Sequence, residues 1–487
     1  MLTLSAAAIL GWFSVSWLAV RAHGQIAVRN QGYIPYSDAP IFYRSENLSD
    51  PVALLEKRIE RRKVTLKFDP QFGYLKSVLK ELKVPVDSQT LVYSKTSFQY
   101  PKISPDHPRA LYYNDDVYDG KVHNGKAIEI VAFDPTQGAI FYLLDERRAD
   151  HPVFQRAELD CTQCHIAAGT RGVPGVLLRS VYPTSTGMQA LNTQAFITDQ
   201  DSPLKDRWGG WYVTGNTGGQ TSLANAVVNE SADQAQSTGS GQEDKPIKLT
   251  SLPAKTYDPA AYLTPDSDVV AHLVLAHQTQ MHNLITLTNY KTRIALYNQA
   301  EANKRNGLPE NAPPPENLRK QFELPAEQLL RYLLFVNEAP LPGTGSEKIG
   351  GVSPFAIEFA RRGLRDHKGR SLRDFDLKTR IFRYPCSYLI YSESFDAIPE
   401  LAKNYIYHRL FTILTGQDNT SDFAKLTPEE RRAILEILLA TKPGLPEEWS
   451  TYATSNHLRL AATHQRHDGP RQDRSGLLSS TAVQQGN

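Results

Sequence analysis

The sequence predicts a mainly α chain with a small β-rich section over about residues 105–145. Capped, apolar-periodic runs dominate the second half, while strand-like alternation is confined to one window before residue 150. Between them, residues 150–225 are rich in Gly, Pro and Thr with few periodic runs, which predicts a segment needing something other than its own side chains to pack around.

The elements follow in order. Leu2 to Val20 carries no charge and leads to Ala22-His23-Gly24, so residues 1–24 predict a signal peptide, with a retained membrane anchor as the alternative. The region 25–149 is expected to be helical, then β-rich. SDPVALLEKRIERR opens the helical stretch 49–83 with a capping Ser or Asp and Pro51 in the first turn. Strands are expected in ALYYNDDVYDG, KAIEIVAFD and GAIFYLLDE, with Asn124-Gly125 turning one hairpin.

The region 150–300 contains a polar stretch, 229–247, expected to be a disordered loop. It then enters a long helix from about Asp266, through HLVLAHQTQMHNLIT. Residues 301–463 predict a helical C-terminal region: a Pro-rich connector, then PAEQLLRYLLFVNEA, a helix ending at Gly416, and one opened by a Thr427/Glu430 capping box. Residues 464–487 are expected to be a disordered tail. With a net charge of +2 over 487 residues, nothing global points to nucleic acid or an anionic membrane surface as partner.

Two of the chain's three cysteines lie in CTQCH, residues 161–165. Cys-x-x-Cys-His is the attachment signature of c-type haem. On a helical turn Cys161 and Cys164 share a face, so both thiols reach one porphyrin edge and add across its vinyl groups. His165 follows as the proximal iron ligand. Such attachment takes place outside the cytoplasm, in agreement with the leader. A redox dithiol would want a strand before the pair and a helix after it, whereas HPVFQRAELD reads as a short helix or irregular turn. Zinc would want a second ligand pair, and no second Cys-x-x-Cys exists.

An electron-carrying haem usually takes a second axial ligand. Met281 and His277, at i and i+4, share a stripe with Leu273 and Leu284 and rank level, followed by His282 and then Met188 in TSTGMQALN. The competing readings are core filler for Met281, a hydrogen-bonded core histidine for His277, and a five-coordinate iron. Pro174 offers a carbonyl to the proximal imidazole, and Arg171 and Arg179 offer partners for propionates. Trp211, with Trp208 and Tyr212, is either pressed on the macrocycle or an ordinary core aromatic. Cys386, in an apolar run, is expected to be a buried thiol.

CTQCHIAAGTRGVPGVLLRSVYP, RWGGWYVTG, LVLAHQTQMHNLIT, FRYPCSYLIYSESFDAIPE and RRAILEILLATKPGLPEEW together resemble a family of uncharacterised bacterial secreted proteins with a single c-type cytochrome haem-binding motif. The likeness covers most of residues 105–450. It implies one covalent haem and a periplasmic or surface location, carried over to Cys161, Cys164 and His165 alone. Family members often have a His after the Thr-Asp pair, where this chain reads TDQDSP. They also often have a His-Met pair where it reads GGQTSLAN, which leaves the HQTQMH helix as the expected ligand source.

The expectation is an exported mono-haem c-type cytochrome: a cytochrome c-like haem segment in a larger helical chain, transferring single electrons to an unknown redox partner. Membrane contact is expected only if the N-terminal segment is retained. Two alternatives stand beside it. One is a haem enzyme with an open distal face, peroxidase-like or acting on small oxyanions, with His277 and His282 as distal acid/base groups. The other is a haem-stapled scaffold or sensor.

Overall fold

The computed structural model describes residues 34–229, 247–253, 256–309, 312, 313, 315–341, 347–418 and 420–459. The leader 1–24, nearly all of 229–247, and the tail 464–487 lie outside the described residues.

The fold is mixed α/β, which corrects the mainly helical, cytochrome-like expectation: helix makes up 38% and strand 15%, organised around one seven-stranded antiparallel sheet. Its strands are β1 (Thr90–Val92), β2 (Arg109–Tyr113), β3 (Val117–Lys121), β4 (Ala127–Asp134), β5 (Gly138–Asp145), β6 (Phe154–Arg156) and β9 (Trp211–Tyr212), in the order β6-β5-β4-β3-β2-β1-β9. Two small hairpins, β7 (Arg179–Val181) with β8 (Ala195–Ile197) and β10 (Ala226–Val228) with β11 (Leu249–Ser251), stand apart. Four central strands fall in the window the alternation marks. The turn between β3 and β4 holds Asn124 at φ 52°, the left-handed conformation Asn tolerates.

The sheet separates two cores. Ile128, Ile130, Ala132, Ile140 and Tyr142 face helices α1 (Pro51–Glu60) and α2 (Leu75–Glu81). α1 starts where Asp50 accepts the backbone N–H groups of Val52 and Ala53, and Asp50 also takes the Tyr142 hydroxyl at 2.8 Å. The helical expectation for 49–83 breaks at Arg62, whose φ is 55°. The other face, through Phe133, Ala139 and Phe141, packs on a second core.

That core is organised by α4 (Val269–Arg305), capped by Asp268 through the N–H groups of Val270 and Ala271. Its residues 269–290 are buried on every side, which requires cover all round. The cover comes from the sheet, from α5 (Glu316–Leu333) and from the C-terminal helices. Those are α6 (Phe355–Arg361), α7 (Glu393–Asp396) and α8 (Glu400–Leu414), with α9 (Pro428–Thr441) packed on α8 and α10 (Glu447–Ser455) on α9. The Thr427/Glu430 capping box starts α9. Among the described residues no helix is long and apolar enough to cross a membrane.

One buried acid predicts a pH effect. Asp119 of β3 sits between Tyr112 and Ile130, fully buried, with no hydrogen-bond partner for either carboxylate oxygen. Burial pushes its pKa up to about 8. The unfolded chain ionises this group above about pH 4, while the folded chain keeps its proton to about pH 8. The folded state therefore binds more protons between these limits, and stability falls as pH rises through them. Each pH step of one across that window costs at most ~1.4 kcal/mol. Asp119→Asn should remove it: relative to the unaltered protein, the variant gains stability from pH 4.5 to pH 8 in denaturant titrations. Parallel curves at the two pH values would contradict this account.

Candidate haem-attachment site

β6 leads directly into α3 (Glu158–His165), an eight-residue helix that ends on CTQCH and packs against β5. The Ala157 N–H donates to the Phe141 carbonyl at 2.9 Å, tying the start of α3 to the sheet. Cys161 and Cys164 occupy positions i and i+3 of one turn, the first half-buried against the second core and the second exposed. They are not joined in a disulfide.

A short strand therefore precedes CTQCH, which itself ends α3; of HPVFQRAELD, read as a short helix or irregular turn, only the last three residues are helical. The redox-dithiol arrangement still fails. β6 pairs antiparallel with β5, not in the parallel manner of a βαβ unit. Cys161 and Cys164 are also the fourth and seventh of the eight residues of α3, whereas a helix stabilises a thiolate at its very N-terminus.

His165 lies against Phe141, ring centroids 5.0 Å apart. Its Nδ1 is 2.9 Å from the Gly175 carbonyl. A carbonyl only accepts, so Nδ1 carries the proton and Nε2 carries the lone pair. Burial pushes the pKa of His165 down, opposed by the Gly175 carbonyl, with smaller effects from the charges of Arg109, Glu129 and Arg179. The imidazole is thus neutral at pH 7, as an iron ligand must be.

The loop after α3 folds back on this histidine. The His165 carbonyl accepts from the Gly175 N–H at 3.1 Å and the Thr170 hydroxyl at 3.2 Å. α4 braces the loop: Gln280 donates to the Gly169 carbonyl at 2.8 Å and accepts from Arg171 at 3.3 Å. Asn283 grips both the N–H and the carbonyl of Val176, at 3.1 and 2.7 Å. Gly175 passes so close that a Cβ there would stand 2.1 Å from Asn283 Oδ1.

The remaining sequence candidates take definite places, and one of them is displaced by a residue. The carbonyl on His165 belongs to Gly175, not Pro174, whose own carbonyl accepts the Ala139 N–H at 3.2 Å. Arg171 is bound to Gln280. Arg179 is exposed on β7, with its charge felt at His165. Trp211 is buried, edge-on to His272 at 5.5 Å, and donates its indole N–H to the Arg179 carbonyl at 2.9 Å; it is a core aromatic. Cys386 is fully buried, and burial pushes its thiol pKa well up.

The α4 candidates for the sixth ligand are committed elsewhere. His277 bonds through Nδ1 to Gln200 at 2.6 Å and through Nε2 to Ser387 at 2.8 Å, stacked on Phe335 at 4.6 Å. His282 stacks on Phe133 at 3.9 Å, and its Nε2 bonds to the Asp115 carbonyl at 2.7 Å. Met281 is wholly buried in the core. The α4 face on the loop after α3 is that of Gln280 and Asn283, and Met281 and His282 project ~100° or more around the helix from either. Burial pushes the pKa values of His277 and His282 down to about 3 and about 4, so neither serves as a distal acid near neutrality. Met188, half-exposed, sits at the tip of the β7–β8 hairpin, where Thr184 N–H donates to its carbonyl at 2.7 Å.

Four residues beside His165 were not singled out from sequence: Phe141, Gly175, Arg109 and Glu129. The alternation of β4 and β5 marks Glu129 and Phe141 as strand residues, but nothing in the sequence puts these two, or Arg109 and Gly175, near His165, because which face of the sheet α3 covers is a tertiary fact. A cleft of about 870 Å³ opens on the opposite face, lined by Phe72, Tyr112, Lys121, His123, Glu146 and Tyr262 among others. It shares no residue with α3 or its loop, so cavity size and site chemistry point to different places. The thiol pair with an oriented imidazole is the more specific signal. Among the described residues, no three His, Cys, Asp or Glu side chains converge as metal ligands. No family model, curated protein or solved structure matches the chain.

Proposed function

We propose that this chain is an exported protein that binds one haem covalently through Cys161 and Cys164, takes His165 as proximal ligand, and transfers single electrons. The observation that carries the reading is the bond between His165 Nδ1 and the Gly175 carbonyl, beside two thiols spaced one helical turn apart. That bond holds the proton on Nδ1 and orients the Nε2 lone pair, the role an outer carbonyl plays for a metal-binding histidine. Bound haem would supply a one-electron ferric/ferrous couple. The chain's contribution is anchorage, orientation and a dry wall: α3 presents the thiols, Phe141 backs the imidazole, and α4 braces the loop through Gln280 and Asn283. Export follows from the chemistry, because this attachment is made outside the cytoplasm.

A second reading has its own observation. His277, His282 and Met281 are each held in the core by other contacts, which favours an iron without a strong sixth ligand from α4. That arrangement suits small-molecule binding or catalysis at the open face. The absorption spectrum of the purified exported protein separates the two. A low-spin, six-coordinate spectrum supports the electron carrier. A high-spin spectrum supports the open face. Absence of any haem absorption after proper maturation contradicts both.

A further inference from the structure

One peptide plane carries both the acceptor for His165 and a donor to α4. The Gly175 carbonyl accepts the His165 Nδ1–H at 2.9 Å. The N–H across the same C–N bond, that of Val176, donates to Asn283 Oδ1 at 3.1 Å. This peptide is trans, so its C=O and N–H point in opposite directions, one bonded to the imidazole and the other to the amide. Asn283 makes a second bond, from Nδ2 to the Val176 carbonyl at 2.7 Å, which fixes Val176 at both of its polar groups. An amide side chain holds its acceptor and donor on separate atoms, as that double grip requires.

The close approach depends on Gly175. A Cβ there would stand 2.1 Å from Asn283 Oδ1 and 3.2 Å from Thr170 Cβ. The Gly175 N–H is tied as well, to the His165 carbonyl at 3.1 Å. Attachment of the loop to α4 does not need Asn283, because Gln280 already binds it at Gly169 and Arg171. What Asn283 adds is a bond to the one peptide that His165 uses. Asn283 is fully buried, and in such surroundings hydrogen bonds in series strengthen one another by roughly 10–30% each. The Val176 donation therefore makes the Gly175 oxygen a better acceptor, which draws on the Nδ1 proton and raises the basicity of Nε2.

We propose that Asn283 is a positioning residue that tunes His165 as an iron ligand, and with it the reduction potential, through the peptide between Gly175 and Val176. This rests on the haem reading and adds control of the couple from α4, whose own His277, Met281 and His282 are held elsewhere. A more basic proximal imidazole favours ferric over ferrous iron, so breaking the relay moves the potential upward.

The test uses the full exported, matured protein. Asn283→Leu keeps bulk and loses both bonds, while Gly175→Ala pushes the amide away and keeps every polar group. Potentiometric titration is expected to place both variants at a more positive potential than the unaltered protein. A purely structural role would lower the denaturation midpoint and leave the potential where it was. Hydrogen exchange on the unaltered protein needs no substitution: the Val176 amide should be protected to the level of the buried α4 amides. Unchanged potential in both folded, haem-loaded variants overturns the proposal, and so does rapid exchange at Val176. Absence of haem stain in the unaltered protein would instead overturn the haem reading. The relay is then read in the full chain without haem, where Asn283→Leu should speed exchange of the His165 Nδ1 proton; an unchanged rate there overturns the relay too.

Discussion

Replacing Cys161 and Cys164 together with alanine should reduce the haem stain of the exported protein on a denaturing gel to background. The expectation follows from thioether chemistry: each sulfur forms one bond to the porphyrin, and no other cysteine among the described residues is accessible, because Cys386 is fully buried. Single replacements leave one thioether, so the stain should persist at reduced yield, with the pyridine haemochrome band moved to longer wavelength by the surviving vinyl group. His165 remains in the double variant, so loosely held haem can survive before denaturation but not after it. Persistent stain in the double variant would mean attachment elsewhere on the chain.

His277→Ala is the second large effect, and it separates a core histidine from a ligand. The imidazole is fully buried, stacked on Phe335 and bonded through both nitrogens. Truncation leaves a cavity and strips partners from the buried Gln200 and Ser387 side chains, so the cost should be ~3–5 kcal/mol. The haem spectrum of whatever folds should be unchanged, because His277 bonds to Gln200 and Ser387 rather than to the CTQCH loop. The check is a denaturant titration paired with an absorption spectrum. A stable variant whose spectrum changes spin state would make His277 an iron ligand after all. Because burial pushes the pKa of His277 down, its neutral form is stabilising above the unfolded pKa, and that contribution is lost as pH falls through the acid range.

Sequence-level physics reached the local features and stopped where partners are distant. CTQCH was legible because its logic is a single helical turn. The caps at Asp50 and Thr427 were legible because each acts on N–H groups two or three residues ahead. The sheet was underestimated because β1, β6 and β9 contribute only three, three and two residues, too few for alternation to register. They join the sheet by pairing with strands already in place. His277 and Met281 looked like ligands for a related reason. A polar or soft residue on an apolar stripe calls for a partner, and the partners of His277 lie 77 and 110 residues away. Gly175 was missed by a single residue: a stiff Pro174 suggested the carbonyl, but its neighbour faces His165. Asn283 carried no signal at all, since the loop it grips meets α4 only in the folded chain.

The account depends on haem being bonded to the CTQCH cysteines, and the intact mass of the exported, matured protein measures this directly. The mass should exceed that of the processed polypeptide by one haem, and after proteolysis the increment should stay on the peptide that contains Cys161 and Cys164. A mass equal to the bare polypeptide, in a sample from cells whose other c-type haem proteins are fully loaded, would contradict it.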